Sequence, residues 1–124
     1  MPAESIEKVT VFATHGPDDP ERATLPFVMA NAALAMDCEA VVILQGTGVL
    51  LSTTKCAEHI FAAGLPPLQE QLRIFMDNGG KLLVCTPCIK ERRLESDMLI
   101  PGAEPIAAAR VIKEVTESKA VLNY

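Results

Sequence analysis

The sequence has no tryptophan, one tyrosine and four phenylalanines, so aromatic residues make up only 4% of its 124 positions. Because 49% of the residues are nevertheless hydrophobic, the core must be built from alanine, valine, isoleucine, leucine and methionine. A chain of this length has room for one domain with a substantial core, but not comfortably for two. We therefore predict a single domain that covers residues 1–124.

Basic residues are also scarce. The chain has 11 lysines and arginines against 16 aspartates and glutamates, which gives a formal net charge of −5. A protein that binds nucleic acid needs a basic surface to neutralise phosphates. We therefore expect no nucleic-acid partner.

The sequence lacks a long apolar run. Its longest mostly apolar segment, residues 23–36, contains Thr24, Pro26 and Asn31 and is shorter than the roughly 18 residues that a membrane span needs. The first residues do not show the basic and apolar regions of a secretory signal. We expect no membrane span and a cytoplasmic location, in which the four cysteines are more often reduced, catalytic or metal-binding than disulfide-bonded.

Short apolar runs alternate with helical patterns along the chain. The runs predict strands at residues 8–14, 39–44, 82–85, 103–106 and 120–122. The helical patterns cover residues 20–36, 66–77, 88–95 and 108–115. Residues 49–65 fit neither pattern well and are compatible with a short helix. The alternation predicts an α/β fold, a three-layer sandwich in which helices cover both faces of a mostly parallel five-stranded sheet.

The most informative stretch for chemistry is Cys85-Thr86-Pro87-Cys88, where a predicted strand ends and a helix begins. The free N–H groups and the positive dipole end of a helix favour a thiolate. Three basic residues follow downstream and act in the same direction: Lys90, Arg92 and Arg93. We therefore expect Cys85 and Cys88 to be reactive, in preference to the alternative of two small buried thiols.

Metal and cofactor sites are weakly supported. A zinc site at the Cys85/Cys88 pair needs two more ligands, and only Cys56 and His59 are spaced to supply them. Gly46 and Gly48 are not followed by the Gly-Lys-Ser/Thr of a phosphate loop. We expect neither a metal nor a cofactor.

Three loops should converge beyond the carboxyl ends of the parallel strands, where open α/β sheets bind their ligands: residues 15–19, 45–51 and 85–88. These loops and their neighbourhood supply the expected substrate contacts: His15, Gly48, Cys56, Thr86, Lys90 and Arg92. For His15 a solvated turn, for Cys56 a half-buried helix position and for the cations a solvated face are the competing interpretations. Cys38 belongs at the opposite edge of the sheet and is expected to be structural.

Several short motifs occur in a specific order along nearly the whole chain. They are Asp19-Pro20-Glu21-Arg22-Ala23, Gly48-Val49-Leu50-Leu51, Gly64-Leu65-Pro66-Pro67-Leu68, Gly79-Gly80-Lys81-Leu82-Leu83-Val84-Cys85 and Leu99-Ile100-Pro101-Gly102-Ala103. In this order and spacing the chain resembles the DsrE/DsrF/TusD-like family of small sulfur-handling proteins. The resemblance implies a flavodoxin-like fold, assembly into oligomers such as a homo-trimer or hexamer, and a cysteine at the end of the third strand that carries sulfur as a persulfide. Cys85 occupies the matching position, whereas Cys88 lies outside that pattern.

The function predicted from these features is intracellular sulfur trafficking. The Cys85 thiolate would take the outer sulfur from a donor protein persulfide or from thiosulfate and pass it to an acceptor thiol. Cys88 could resolve the persulfide by forming a disulfide and releasing sulfide. Two alternatives stay open: a dithiol–disulfide oxidoreductase that uses both cysteines, and a non-enzymatic oligomeric binding subunit, for which the apolar helix at residues 20–36 is the evidence.

Overall fold

The structure is a computed structural model that describes residues 6–124, so the first five residues of the predicted domain lie outside it. Its strands are β1 (Lys8–Ala13), β2 (Glu39–Leu44), β3 (Lys81–Cys85), β4 (Ala103–Ile106) and β5 (Ala120–Asn123). Its α-helices are α1 (Pro20–Ala35), α2 (Leu68–Asp77), α3 (Thr86–Glu91) and α4 (Ala108–Thr116). Short 3₁₀ helices lie at Gly46–Ser52, Ala57–His59 and Ser96–Met98. None of the helices within residues 6–124 is both long and apolar enough to cross a membrane.

The five strands form one sheet in the order β4-β3-β2-β1-β5, and every neighbouring pair is parallel. Because all strands point the same way, the loops after β1, β2 and β3 emerge at one edge of the sheet. The predicted α/β fold with a five-stranded sheet is confirmed, and the sheet is parallel throughout.

One face of the sheet carries the main core. Val42 and Leu44 of β2 point to this face and pack with residues of α1 and α2, as expected from the two-residue period of a strand. The rings of Phe27 and Phe75 meet edge to face with their centroids 5.6 Å apart. Asp19 caps α1 by accepting the N–H of Arg22 at 3.1 Å. The helix begins at Pro20, so the predicted start of the helical pattern at residue 20 is confirmed.

The other face is covered by α4. Val41 and Ile43 of β2 point this way and form a smaller buried cluster with two further residues, Leu83 and Ile106. Ile112 of α4 stays 60% exposed. Helices thus cover both faces, but the second layer is much thinner than the first.

A buried ion pair joins α4 to the start of β1. The Lys8 ammonium lies 2.5 Å from the Glu114 carboxylate, and both side chains are almost fully buried. Arg110 donates to the same carboxylate at 2.6 Å, and the exposed Glu117 lies 3.3 Å from Lys8. Nothing in the local sequence pattern predicted this network, which ties together two ends of the chain.

Candidate functional site

The two cysteines of the Cys-x-x-Cys sequence lie in contact. Cys85 is the last residue of β3 and the N-cap of α3, and Cys88 lies in the first turn of that helix. Their Sγ atoms are 3.0 Å apart, both thiols are free, and both residues are partly exposed. Pro87 suits the first turn because it has no N–H to leave unpaired. The local sequence thus places two accessible thiols side by side.

The pKa of Cys85 differs from the low value that the sequence led us to expect. Burial, followed by the hydrogen bond with the Cys88 thiol, raises the pKa of Cys85 above its ordinary value. The Cys88 N–H and the Arg92 charge act in the opposite direction but do not outweigh burial. The prediction that the helix and the nearby cations make Cys85 a low-pKa thiolate is therefore wrong, because β3 holds this sulfur against the core.

Cys88 has a polar partner that the sequence did not reveal. The backbone N–H of Gly46 donates to the Cys88 Sγ at 3.3 Å. Gly46 adopts a φ of +56°, in the left-handed region that glycine adopts readily, and this directs the turn after β2 toward α3. A negative charge on Cys88 would accept this hydrogen bond as well as one from the Cys85 S–H. The Cys88 sulfur therefore has two polar partners, the Gly46 N–H and the Cys85 thiol.

The downstream cations have different positions. Arg92 is half-buried, and its Nη1 donates to the Cys88 carbonyl at 3.2 Å, so its charge is held near the pair. Lys90 and Arg93 are exposed. Thr86 is half-buried in the first position of α3, between the cysteines in sequence.

The predicted convergence of three loops is confirmed. The Gly46–Cys88 hydrogen bond joins the loops after β2 and β3. The loop after β2 also approaches the loop after β1, because a Cβ added at Gly16 would lie 2.9 Å from the Thr47 carbonyl oxygen. Gly48 is buried against the backbone of Ala13 and Thr14. This close approach accounts for the glycine, so Gly48 has a packing role between the loops after β1 and β2.

We expect Gly48→Ala to lower the free energy of unfolding by about 2 kcal/mol, in the range for overpacking a tight site. A Cβ at this position would lie 2.8 Å from the Ala13 carbonyl carbon, and backbone atoms cannot move aside as a flexible side chain can. Urea denaturation measures the change. Thr54→Ala, at an exposed position in the following segment, is the matched control and should change stability by less than about 0.5 kcal/mol. Equal losses in the two variants would contradict the packing role.

His15 lies in a cavity beside the cysteines rather than against them. The cavity, of about 830 Å³, opens at the carboxyl ends of β1 and β5, and its lining includes Phe12, Thr14, His15, Glu21, Arg22 and Gln45. In the sheet β2 separates β1 from β3, so the turn at Gln45 and Gly46 lies between this cavity and the Cys85/Cys88 pair. The sequence did not single out the cavity residues Glu21, Arg22 and Gln45, since charged and amide side chains in a first helical turn or in a loop carry no distinctive spacing.

Cys56 makes local contacts. It precedes the 3₁₀ helix Ala57–His59, and burial raises its pKa above the ordinary value, partly offset by a hydrogen bond from Thr53. His59 is 76% exposed at its side chain, with Nε2 3.2 Å from the carboxylate of Glu58. Within residues 6–124 no three or more His, Cys, Asp or Glu side chains are grouped so as to hold a metal ion.

Comparison with known proteins finds a family model and related sequences that match nearly the whole chain. A sequence model of the DsrE/DsrF-like family matches residues 7–124. The uncharacterized protein MJ0989 of Methanocaldococcus jannaschii is 30% identical over 117 residues, covering 94% of this chain and 99% of that protein. The uncharacterized protein MK0008 of Methanopyrus kandleri is 28% identical over 121 residues, covering 98% and 97% of the two chains.

Solved structures of similar fold are also found. The ychN protein from E. coli superimposes with a TM-score of 0.80 at 16% identity, covering 96% of this chain and all of that one. Protein MTH1491 from Methanobacterium thermoautotrophicum, of unknown function, gives a TM-score of 0.76 at 14% identity and covers 95% and 99% of the two chains. At these identities the likeness concerns the fold alone.

Proposed function

Since the chain belongs to the DsrE/DsrF-like family, we propose that it handles sulfane sulfur in a sulfur relay, with Cys85 as the residue that carries the persulfide. The observation that carries this proposal is the pair of free, partly exposed sulfurs 3.0 Å apart at the carboxyl end of β3. Sulfur transfer between thiols needs an accessible nucleophile and a place for one proton, and no metal or cofactor.

Loading requires the Cys85 thiol to give up its proton. Cys88 in its thiolate form takes the proton of Cys85 across the 3.0 Å contact while the Cys85 sulfur attacks the outer sulfur of a donor R–S–SH. The S–S bond of the donor breaks, RS⁻ leaves, and Cys85–S–SH and Cys88–SH remain. The raised pKa of Cys85 suits this role, because intrinsic nucleophilicity rises with thiol pKa once the proton is removed. The Gly46 N–H supports the required charge on Cys88.

Unloading passes the outer sulfur onward. An acceptor thiolate R′S⁻ attacks the outer sulfur of Cys85–S–SH, which gives R′–S–SH and restores the Cys85 thiolate. Donor and acceptor are proteins with reactive cysteines, or thiosulfate in the case of the donor, which would leave as sulfite. The four free cysteines fit a reducing cytoplasm.

A dithiol–disulfide oxidoreductase is the second candidate, and the same 3.0 Å contact favours it, because two sulfurs this close need little movement to form a bond. We also propose a homo-oligomer, a trimer or hexamer as the family resemblance implies; Ile112 and Met36, which remain 60% and 76% exposed, offer apolar surface for such contacts. A binding subunit without chemistry would need the oligomer but neither cysteine.

Intact-protein mass spectrometry after exposure to thiosulfate or a persulfide donor tests the proposal. Cys88→Ser should gain one sulfur atom, more slowly than the wild type because it lacks the Cys88 base, and Cys85→Ser should gain none, because only Cys85 is expected to carry the sulfur. The wild type should gain one sulfur, or lose two hydrogens while releasing one sulfide for each chain. Loss of two hydrogens when a small-molecule disulfide is supplied as the oxidant, together with no sulfur gained from either donor, would favour the oxidoreductase. No mass change in any of the three proteins would leave the binding subunit.

A further inference from the structure

The cavity at the carboxyl ends of β1 and β5 lies where the strand order changes direction. The chain passes from β1 outward through β2 and β3 to β4, and then returns so that β5 pairs with the free side of β1. Open α/β sheets bind ligands in the crevice at such a reversal. At about 830 Å³ the cavity has the size of a small-molecule site, and Phe12 and Leu25 give it apolar surface.

Two opposite charges line this cavity side by side. Glu21 and Arg22 are consecutive in the first turn of α1, and both are exposed. The carboxylate of Asp19 lies 3.7 Å from the Arg22 guanidinium, but this is a surface ion pair and holds it only weakly. The cavity therefore offers one anionic and one cationic group to a ligand.

An inorganic anion is a poor match for this cavity. Two backbone donors at this end of the sheet are occupied by neighbouring acids: Asp18 accepts the Gly16 N–H at 2.7 Å, and Asp19 accepts the Arg22 N–H at 3.1 Å. An inorganic anion bound to Arg22 would also face the Glu21 carboxylate, which lines the same cavity and would repel it. A ligand with an ammonium and a carboxylate matches both charges.

The cavity shares a wall with the cysteine pair. Gln45 lines the cavity, and the N–H of the next residue, Gly46, donates to the Cys88 Sγ at 3.3 Å. We propose that this cavity binds the zwitterionic end of an α-amino-acid thiol or its persulfide, with Glu21 taking the ammonium and Arg22 the carboxylate. The inference rests on the proposed function in one respect, because the thiol end of that ligand would be the sulfur donor or acceptor of the Cys85/Cys88 pair.

The test uses S-methylcysteine, which keeps both charges but cannot exchange sulfur, and the Cys85→Ser/Cys88→Ser double variant, which has no pair to react. NMR titration should show saturable binding with shifts at Thr14, His15 and Gln45. Glu21→Gln and Arg22→Gln should each weaken binding about tenfold, the effect of losing one hydrogen bond to a charged group. Arg73→Gln, which removes an exposed cation of α2 that pairs with Asp77 at 3.8 Å, should leave binding unchanged.

Three outcomes would overturn the inference: no saturable binding of S-methylcysteine, binding that Glu21→Gln and Arg22→Gln leave unchanged, or tighter binding of thiosulfate than of S-methylcysteine. N-acetyl-S-methylcysteine, which lacks the ammonium, should bind at least about tenfold more weakly. Because the protein in this titration cannot carry sulfur, its result is separate from sulfur loading of the wild type by thiosulfate. The cavity can therefore fail as an amino-acid site while the proposed function stands, and the reverse also holds.

Discussion

Cys88→Ser protein that has been loaded with sulfur should keep its Cys85 persulfide at least about tenfold longer than the wild type. In the wild type the Cys88 sulfur lies 3.0 Å from the Cys85 sulfur, so it can attack the inner sulfur of the persulfide. This attack forms the Cys85–Cys88 disulfide and expels HS⁻. Well-oriented tethered groups reach effective molarities on the order of 10⁵ M, far above any thiol in solution. Intact mass and released sulfide, followed over time, measure both lifetimes.

Cys56→Ser is the matched control for this experiment. Cys56 is also a free, half-buried thiol with a pKa raised by burial, but it belongs to a different segment and should not affect the lifetime. Cys88 has two proposed roles, removal of the Cys85 proton during loading and resolution of the persulfide. Only resolution releases sulfide, one for each disulfide formed. Equal persulfide lifetimes in the wild type and Cys88→Ser would show that Cys88 serves loading alone.

The features predicted correctly from the sequence depend on neighbours in the chain. The apolar run at residues 39–44 predicted the strand that is β2, and the helical pattern from residue 20 predicted the start of α1. The break at Thr86-Pro87 placed Cys85 at a strand end and Cys88 in a first helical turn. Each of these is fixed within about four residues, the range over which periodicity, capping and turn chemistry act.

The features that the sequence did not predict depend on long-range packing. Helix α3 ends at Glu91 rather than at residue 95, because Arg93 adopts a φ of +54° and breaks the helical turn. The pKa of Cys85 follows its burial against the core, which no spacing encodes. The Gly46 N–H reaches Cys88 from the loop after the neighbouring strand, β2. Residues 49–65 fitted no pattern because their only regular elements are parts of two short 3₁₀ helices, Gly46–Ser52 and Ala57–His59. Such helices are too short to show a regular apolar period.

The buried ion pair at the other edge of the sheet gives the second large prediction. We expect Glu114→Gln to lower the free energy of unfolding by about 3–4 kcal/mol, since removing one partner leaves the buried Lys8 ammonium poorly compensated. Urea denaturation at neutral pH measures the loss. Glu117→Gln removes the exposed partner of the same lysine and should cost less than about 1 kcal/mol. Similar losses in the two variants would mean that burial does not set the strength of this network.

The Glu114 carboxylate should also make the free energy of unfolding depend on pH in the acidic range. Burial alone would raise the pKa of Glu114, but the hydrogen bonds from Lys8 and Arg110 lower it below the ordinary value of 4.5. The unfolded chain therefore takes up this proton at a higher pH than the folded chain, so the stabilisation is complete above that value and is lost as the pH falls through the lowered pKa. Between about pH 5 and 3 the wild type should lose more unfolding free energy than Glu114→Gln, and the two should converge in acid. Parallel pH profiles would contradict a lowered pKa, because a carboxyl group with the same pKa in both states adds no slope.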